Sequence, residues 1–560
     1  MDAAAADYQR LTFQYVRSAD QSAARPARHP VVVAGAGPVG LAAAIDLAQQ
    51  QVPVVLLDDD DRLSTGSRAI CFAKRTLEIF DRLGCGERMV EKGVSWNLGK
   101  VFFRDELIYG FNLLPEAGHQ RPAFINLQQY YVEGFLLDRA RQLQNLDIRW
   151  HNRVTGIART AEAVELTVAT PDGDYRLRCD YLIAADGARS PIRAAMGLES
   201  KGRTFRDRFL IADVRMAADY PTERWFWFDP PFHRNHSALL HRQPDNVWRI
   251  DFQLGWDADP VAERQPERVI PRVRALLGAD VPFELEWVSV YTFSCLRMER
   301  FRHGRVLFAG DAAHGVSPFG ARGANSGVQD ADNLAWKLRL VLRGVAPDAL
   351  LDSYGSEREY AADENILNST RSTDFITPKS AVSRSFRDAV LLLARDCAFA
   401  RRLVNSGRLS VPATLAQSPL NTPDRDAFDG AMAPGAPGAD APIRRDGRDG
   451  WLLDQVGGDF ACLYFSDDGD VSPAPLHALH ALRQGDIAVA PLLVTPPHAA
   501  PRRADGLAVL EDSTGLLAQR FDARPGTFYL LRPDQHVCAR RRQFTPQAVR
   551  EALRRATCQA

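Results

Sequence analysis

The chain has 560 residues, 46% hydrophobic and 25% charged, near the globular average, which excludes collagen, coiled coil and disorder as whole-chain descriptions. At about 100 to 200 residues per domain there is room for three or four. Lysine plus arginine is 69 against 70 for aspartate plus glutamate, a formal charge of -1, so no bulk attraction to nucleic acid or anionic membrane is expected and a small uncharged partner is favoured.

Eight cysteines stand at 71, 85, 179, 295, 397, 462, 538 and 558 with no CxxC pair and no zinc knuckle. Free thiols in a reducing compartment are the natural reading, and no metal site is implied. The first thirty residues carry Asp2, Asp7, Arg10, Arg17 and Asp20 without a long apolar run, which argues against a secretory signal. Residues 31–45, among the longest uncharged stretches, fall short of the ~20 apolar residues that span a bilayer. A soluble, cytoplasmic protein is expected.

In chain order, Val31-Val32-Val33-Ala34 breaks into Gly35-Ala36-Gly37-Pro38-Val39-Gly40 and re-emerges as a helix-forming run. Residues 53–57 then form a second strand ending at Asp58, which completes a β-α-β unit. Residues 180–185 and 305–309 read as buried strands, each running into a Gly/Asp turn. Between them, from about 203 to 300, aromatic and β-branched residues alternate with polar ones and predict a separate antiparallel sheet. Helical composition follows from Gly327 to about Leu409. Pro412, Pro419, Pro423, Pro434, Pro437 and Pro442 then mark a linker or surface loop. Residues 445–560 carry strand-like runs at 460–465, 487–489 and 527–531, enough for a small domain.

The spacing of Gly35, Gly37 and Gly40 fits a dinucleotide-binding turn, in which one glycine makes the turn, one lets the backbone approach a pyrophosphate and one allows helix and strand to pack. Asp58, 23 residues after Gly35, stands where an acid hydrogen-bonds ribose hydroxyls. A tight turn in any α/β protein is the plainer alternative. Two further patterns are Ala185-Asp186-Gly187-Ala188-Arg189-Ser190 with Arg193, and Gly310-Asp311-Ala312-Ala313-His314 followed by Pro318-Phe319-Gly320-Ala321-Arg322-Gly323-Ala324-Asn325-Ser326-Gly327 with Asp330. Backbone N–H groups of residues 320–327 leading into a helix suit a negative charge. Asp311 offers two acceptor oxygens, suited to sugar hydroxyls rather than phosphate.

In this order, about 150 and 125 residues apart, the three patterns resemble the group A flavoprotein monooxygenases, the family of 4-hydroxybenzoate hydroxylase and phenol hydroxylase, over roughly residues 30 to 400. The resemblance implies that Gly35, Gly37, Gly40 and Asp58 bind the ADP part of FAD and that Arg68 lies near its phosphates. It also implies that Gln129 runs along the flavin, that Asp186 serves both FAD and NADPH, and that Asp311 holds the ribityl chain. Pro318, Gly320, Gly323 and Asn325 would surround the isoalloxazine. Bland roles compete at three of these positions: Asn325 as a helix cap, Arg68 as a surface ion-pair partner, Gln129 as an exposed helix residue. His314 reads as a structural hydrogen-bonding residue.

Trp225, Trp227 and Trp248 read as sheet packing. Arg224, His236, His241, Arg249 and Tyr291 are unranked candidates for a polar substrate contact. Where some phenol hydroxylase relatives carry an acid just after the arginine loop, Ala69-Ile70-Cys71-Phe72 is apolar, so no substrate-deprotonating residue is assigned.

The fold expected is α/β: an arm (1–29), a glutathione-reductase-like FAD-binding domain in two parts (30–202 and 301–410), an inserted antiparallel substrate sheet (203–300), a linker (411–444) and a thioredoxin-like C-terminal domain (445–560) like that of phenol hydroxylase relatives. The activity implied is hydroxylation of a phenolic or hydroxybenzoate-like ring with FAD, O₂ and NADH or NADPH through a flavin C4a-hydroperoxide, and a homodimer is left open. The rivals are a flavin reductase or dehydrogenase on the same fold and a non-enzymatic FAD-binding protein.

Overall fold

A computed structural model describes residues 8–66, 69–218, 220–404, 409–467, 473–499 and 506–559. The β-branched run of the Ala27–Ala34 strand is buried on both faces, with Val31, Val32 and Val33 fully enclosed, as a central parallel strand requires. It pairs in parallel with Val54–Leu57 on one side and Gly173–Ala184 on the other. Leu146–Arg149 and Val306–Phe308 extend the sheet outward, also in parallel. The order therefore reverses at Ala27–Ala34, and sheets of this kind bind ligands outside the carboxyl end of the strand where the order reverses. Helices Pro38–Gln49 and Gly323–Leu342 pack together against this sheet.

The second sheet has the order His314–Gly315, Glu284–Met298, Ser200–Arg215, Val247–Leu254, Ser237–Arg242, Arg224–Phe228, Leu98–Phe103, Glu106–Asn112. Six of its strands come from the 200–315 region and run antiparallel. The sheet does not end there, because Arg224–Phe228 takes Leu98–Phe103 as a parallel neighbour and so gains a partner for its outer edge. One face packs Trp248, Ile250 and Phe252 on Val269 and Val273 of helix Pro266–Leu277. The opposite face is directed at the FAD-type domain and packs Phe209, Leu239 and Phe293 with Phe319 and with Leu391 of helix Ala381–Asp396.

The C-terminal sheet has seven strands. Phe460–Phe465 and Val489–Thr495 are parallel and flank helix Pro473–Ala481, and the antiparallel hairpin Phe528–Leu531/Val537–Arg541 and helix Pro546–Ala556 follow, the order of a thioredoxin-type unit. The strand expected at 487–489 runs instead from Val489 to Thr495 through Pro491. Pro491 precedes the pairing with Ala508–Glu511, which begins at Leu492, so the N–H it lacks is not needed on that side. The proline-rich stretch contains no regular helix or strand from 411 to 441 and lies against this sheet, with Gly435 donating to the Val537 carbonyl at 2.7 Å and Thr422 to that of Cys538 at 2.8 Å; the linker expected to run to 444 ends earlier, because Pro442–Arg445 is already a strand of the sheet, paired with Arg448–Trp451.

Trp336 and Leu340 share a core with Phe460 and Cys462. Beside that core, Glu357 accepts from Arg532 at 2.6 Å, Lys337 at 2.7 Å and Asn333 at 2.7 Å, all buried. Arg75 reaches Gln535 at 2.7 Å and the Asp534 carbonyl at 2.9 Å. The C-terminal unit is thus bonded to helices Lys74–Arg82, Gly323–Leu342 and Asp352–Ile376 of the first domain. All eight cysteines are thiols. Among the described residues, no helix is long and apolar enough to cross a membrane.

Candidate active site

At the end of the Ala27–Ala34 strand the chain turns on Gly35, whose φ of +104° favours glycine, and a Cβ there would lie 2.4 Å from the Ala185 carbonyl oxygen. Gly40 is equally constrained, since its Cβ would lie 1.8 Å from the Gly35 oxygen. Gly37 meets nothing within 4 Å, which leaves the start of helix Pro38–Gln49 open to a ligand. Asp58 lies beneath this turn and accepts from the Ala36 N–H and, at 2.9 Å, from the Asp60 N–H. Burial pushes its carboxyl up to about 6, helped by Asp59 and Asp60 and opposed by the two N–H donors. An acid enclosed beside an open helix N-terminus fits the ribose and pyrophosphate of a dinucleotide.

The other two sequence patterns converge on the same turn. The Asp186 segment touches Gly35 through Ala185, and the Asp186 carboxylate accepts from the Ile192 N–H at 3.0 Å, at the first turn of helix Pro191–Ala195. A Cβ at Gly310 would lie 2.9 Å from Val39, and one at Gly327 2.6 Å from the same side chain. Asp311 is exposed on the single turn Gly310–Ala312. Behind it, Asp330 accepts from the Gly310 N–H at 3.0 Å, His314 Nε2 at 2.7 Å and Arg358 Nε at 2.6 Å. His314 is thus a structural hydrogen-bonding residue. Arg358, which no motif marks, completes the buried support.

The segment leading to helix Gly323–Leu342 exposes Pro318 and buries Phe319 between Phe209 and Phe293, with ring centroids 4.7 and 5.5 Å away. Gly320 takes a φ of +115°, and Gly323 begins the helix. Asn325, three residues in from the capping position, does not cap. Its Nδ2 donates to the carbonyls of Ala321 at 2.6 Å and Cys71 at 2.9 Å, and its Oδ1 accepts from the Ala73 N–H at 2.8 Å. It therefore clamps the Cys71–Ala73 strand to the loop. Gln129 is no free surface residue either, since its Oε1 accepts from the Ala69 N–H at 3.2 Å and its Nε2 donates to Ser64 Oγ at 3.0 Å. Glu133, four residues further along the helix and absent from the sequence reading, holds the Ser64 N–H at 2.7 Å. Arg68 lies outside the described residues.

Beyond the Cys71 strand lies the inward face of the second sheet. Arg224, 4% exposed, points its Nη1 at Cys71 Sγ 3.7 Å away and stacks over Trp96 and Phe226. Among the described residues, no carboxylate comes within 4.0 Å of it, and its buried Nε has no partner. His241, 2% exposed, has Nε2 3.2 Å from Asp251 Oδ2 and Nδ1 4.0 Å from Cys71 Sγ. Burial, then Arg224, pushes this imidazole down to about 4. Arg249 is paired with Asp213 at 2.7 Å. The sequence candidates thus separate: Arg224, His241 and Arg249 come together, whereas His236 sits half-buried on a bend, bonded to the Arg234 carbonyl. Tyr291 pairs with Phe209 in the sheet. Cys71 and Asp251, which the sequence reading passed over, join the strands at the centre, and the three tryptophans pack among aromatic neighbours.

The family of FAD binding domains matches residues 28–369, and the family of HcaD C-terminal domains matches residues 442–556. A 6-methylpretetramide 4-monooxygenase of Streptomyces rimosus is 30% identical over 91% of this chain and 90% of its own. The chain belongs to the FAD-dependent aromatic monooxygenases. A 3-(3-hydroxy-phenyl)propionate/3-hydroxycinnamic acid hydroxylase of Mycolicibacterium smegmatis is 28% identical to this monooxygenase over 91% of the chain and 90% of the relative. The flavin-dependent monooxygenase PieE, solved with FAD and substrate, shares its fold with a TM-score of 0.80 at 22% identity, over 96% of this chain and 100% of that one. The monooxygenase is therefore an oxidoreductase whose cofactor is FAD, with NAD(P)H as the reductant typical of the family.

Proposed function

We propose that the enzyme inserts one oxygen atom from O₂ into a phenolic ring, with FAD held by the residues that converge on the Gly35–Val39 turn. On this reading Gly37 and the N-terminus of helix Pro38–Gln49 receive the pyrophosphate, Asp58 the ribose and Asp311 the ribityl hydroxyls. The loop from Pro318 through Gly320 and Gly323 to Asn325 lines the isoalloxazine, with Gln129 fixing the segment opposite and Asp186 near the cofactor entrance. When bound, FAD takes hydride from NAD(P)H and activates O₂. The chain's own tasks are to orient the ring, exclude water and manage the substrate's proton.

The observation that carries this reading is the link Asn325–Cys71, which sets the flavin-type loop directly against a sheet face bearing a buried histidine and an arginine without a carboxylate partner. Relatives named for hydroxyphenylpropionate and for para-nitrophenol support a phenol as substrate. The test is NAD(P)H consumption by the FAD-loaded enzyme against phenols and hydroxybenzoates, with product mass after turnover under labelled O₂. Oxidation stimulated by a phenol, with one labelled atom in the product, is expected. Oxidation indifferent to every phenol, with another acceptor reduced and no label incorporated, would assign the chain to the reductases.

A further inference from the structure

The inward face of the second sheet carries charges that packing does not explain. A buried guanidinium without a carboxylate costs several kcal/mol unless something else compensates it. Arg224 is such a group, while its neighbour Arg249 is neutralised by Asp213, its ladder partner on the adjacent strand. The aromatic faces of Trp96 and Phe226 offset part of the cost. They leave the guanidinium's hydrogen-bonding edge turned to Cys71, whose thiol burial keeps protonated and which donates to Asn126 Oδ1 at 3.2 Å. An anionic oxygen is the missing partner.

His241 supplies the complementary function. With Asp251 accepting from Nε2–H, the proton sits on Nε2 and the Nδ1 lone pair faces Cys71 Sγ at 4.0 Å, the outer limit of a hydrogen bond to sulfur, while the one thiol proton is directed at Asn126 Oδ1 at 3.2 Å. The groups facing the ring are Arg224, Arg249, Asp251 and Cys71, and burial with Arg224 keeps the imidazole neutral in the empty site. A neutral histidine oriented by a carboxylate through its other nitrogen is a proton acceptor.

We propose that Arg224 and the His241–Asp251 pair form the phenolate site: the substrate O–H bond breaks, its proton moves to His241 Nδ1, and the oxyanion is held by Arg224. The charges balance, since a neutral phenol and a neutral imidazole become phenolate and imidazolium between Arg224 and Asp251. The phenolate also offsets one of the lesser effects that oppose protonation of His241, the charge of Arg224, by placing a negative charge beside the guanidinium; burial, the largest, is unchanged. Asp251 is a positioning residue that fixes the tautomer. The proposal rests on the phenol-hydroxylase reading.

The experiment uses FAD-loaded full-length enzyme and 4-nitrophenol, whose phenolate absorbs visible light, titrated by difference spectrum across pH. In the wild type the bound phenol should ionise at least about one pK unit below the free one, a tenfold shift. His241→Asn should abolish that shift, and Asp251→Asn should reduce it and alter the pH profile. Arg224→Met, which removes a buried charge without a partner, should retain FAD yet bind the probe at least about tenfold more weakly, with partial recovery in Arg224→Lys. Phenols that are hydroxylated while His241→Asn and Arg224→Met leave ionisation and affinity unchanged would overturn the site and leave the reaction standing. Ionised binding through these residues with no phenol-stimulated turnover would uphold the site and sink the reaction. Weaker binding of 3-hydroxybenzoate but not of 4-nitrophenol in Arg224→Met would place a carboxylate on the guanidinium and overturn the assignment.

Discussion

Binding of FAD to the apoprotein should weaken in acid because of Asp58. Its carboxyl, raised by burial to about 6, is protonated in the empty site at a pH where an ordinary aspartate is charged. A ribose hydroxyl donates to the ionised form, so binding favours that form and must expel the proton below pH 6. A group titrating near 6 is about ten-elevenths protonated at pH 5 and about one-eleventh at pH 7, so the apparent affinity should fall about tenfold between them, ~1.4 kcal/mol.

The assay is quenching of FAD fluorescence by apoprotein at pH 5, 6 and 7. Asp58→Asn keeps an acceptor for the Ala36 N–H but has no proton to lose. It should bind FAD more weakly at pH 7, by about 1.5 to 3 kcal/mol for a hydrogen bond to a charged group, and lose the acid slope. Glu133 and Asp186, whose carboxyls burial also raises, remain in that variant and serve as its internal control. A flat wild-type profile, or a full slope in Asp58→Asn, would refute the role. In the apoprotein alone the sign runs the other way: a raised carboxyl stabilises the fold most below its unfolded value near 3.9, and that contribution is lost as pH rises through 6.

Asp311→Ala should weaken FAD retention by about 0.5 to 1.5 kcal/mol for each ribityl hydrogen bond removed, and undiminished affinity by equilibrium dialysis would contradict its assignment. Glu357→Ala leaves Lys337 and Arg532 buried without their shared carboxylate, which should destabilise the junction by about 3 to 5 kcal/mol; limited proteolysis in the 411–441 stretch should accelerate, and an unchanged cleavage rate would mean that the junction is held elsewhere. Cys462 and Cys538 are fully buried, with burial pushing the Cys538 thiol up to about 12 and that of Cys462 higher, so neither is a reactive thiolate. The triple variant Cys462→Ala, Cys538→Ser, Cys558→Ser should keep near-normal turnover per FAD, and loss of turnover in a folded, FAD-loaded variant would make these thiols participants.

What the sequence displays best is geometry that only one residue type satisfies. Gly35 and Gly40 are forced because a Cβ there would lie 2.4 and 1.8 Å from backbone oxygens, so the spacing of the turn stands in the sequence unaided, and the Gly310-Asp311 turn is legible for a similar reason. The roles of Asn325 and Gln129 were not, because their partners, the Cys71 carbonyl and the Ala69 N–H, are backbone atoms 254 and 60 residues distant. Any amino acid supplies such atoms, and no pattern marks them.

The substrate face was hidden differently. Trp248, Ile250 and Phe252 alternate with Arg249, Asp251 and Gln253, and alternation ordinarily assigns the polar set to water. Here helix Pro266–Leu277 takes the apolar face, and the polar face is enclosed as well, against the Cys71 strand and the flavin-type loop. Arg249 lies opposite His241 in the ladder and Asp251 lies two residues further on, so the histidine and the acid meet on the diagonal across the hairpin. A half-polar strand buried on both sides must satisfy every charge it encloses. Arg249 and Asp251 are satisfied within the sheet and Arg224 is not, so among the described residues its guanidinium is the point on that face where the fold leaves a charge for a bound molecule to complete.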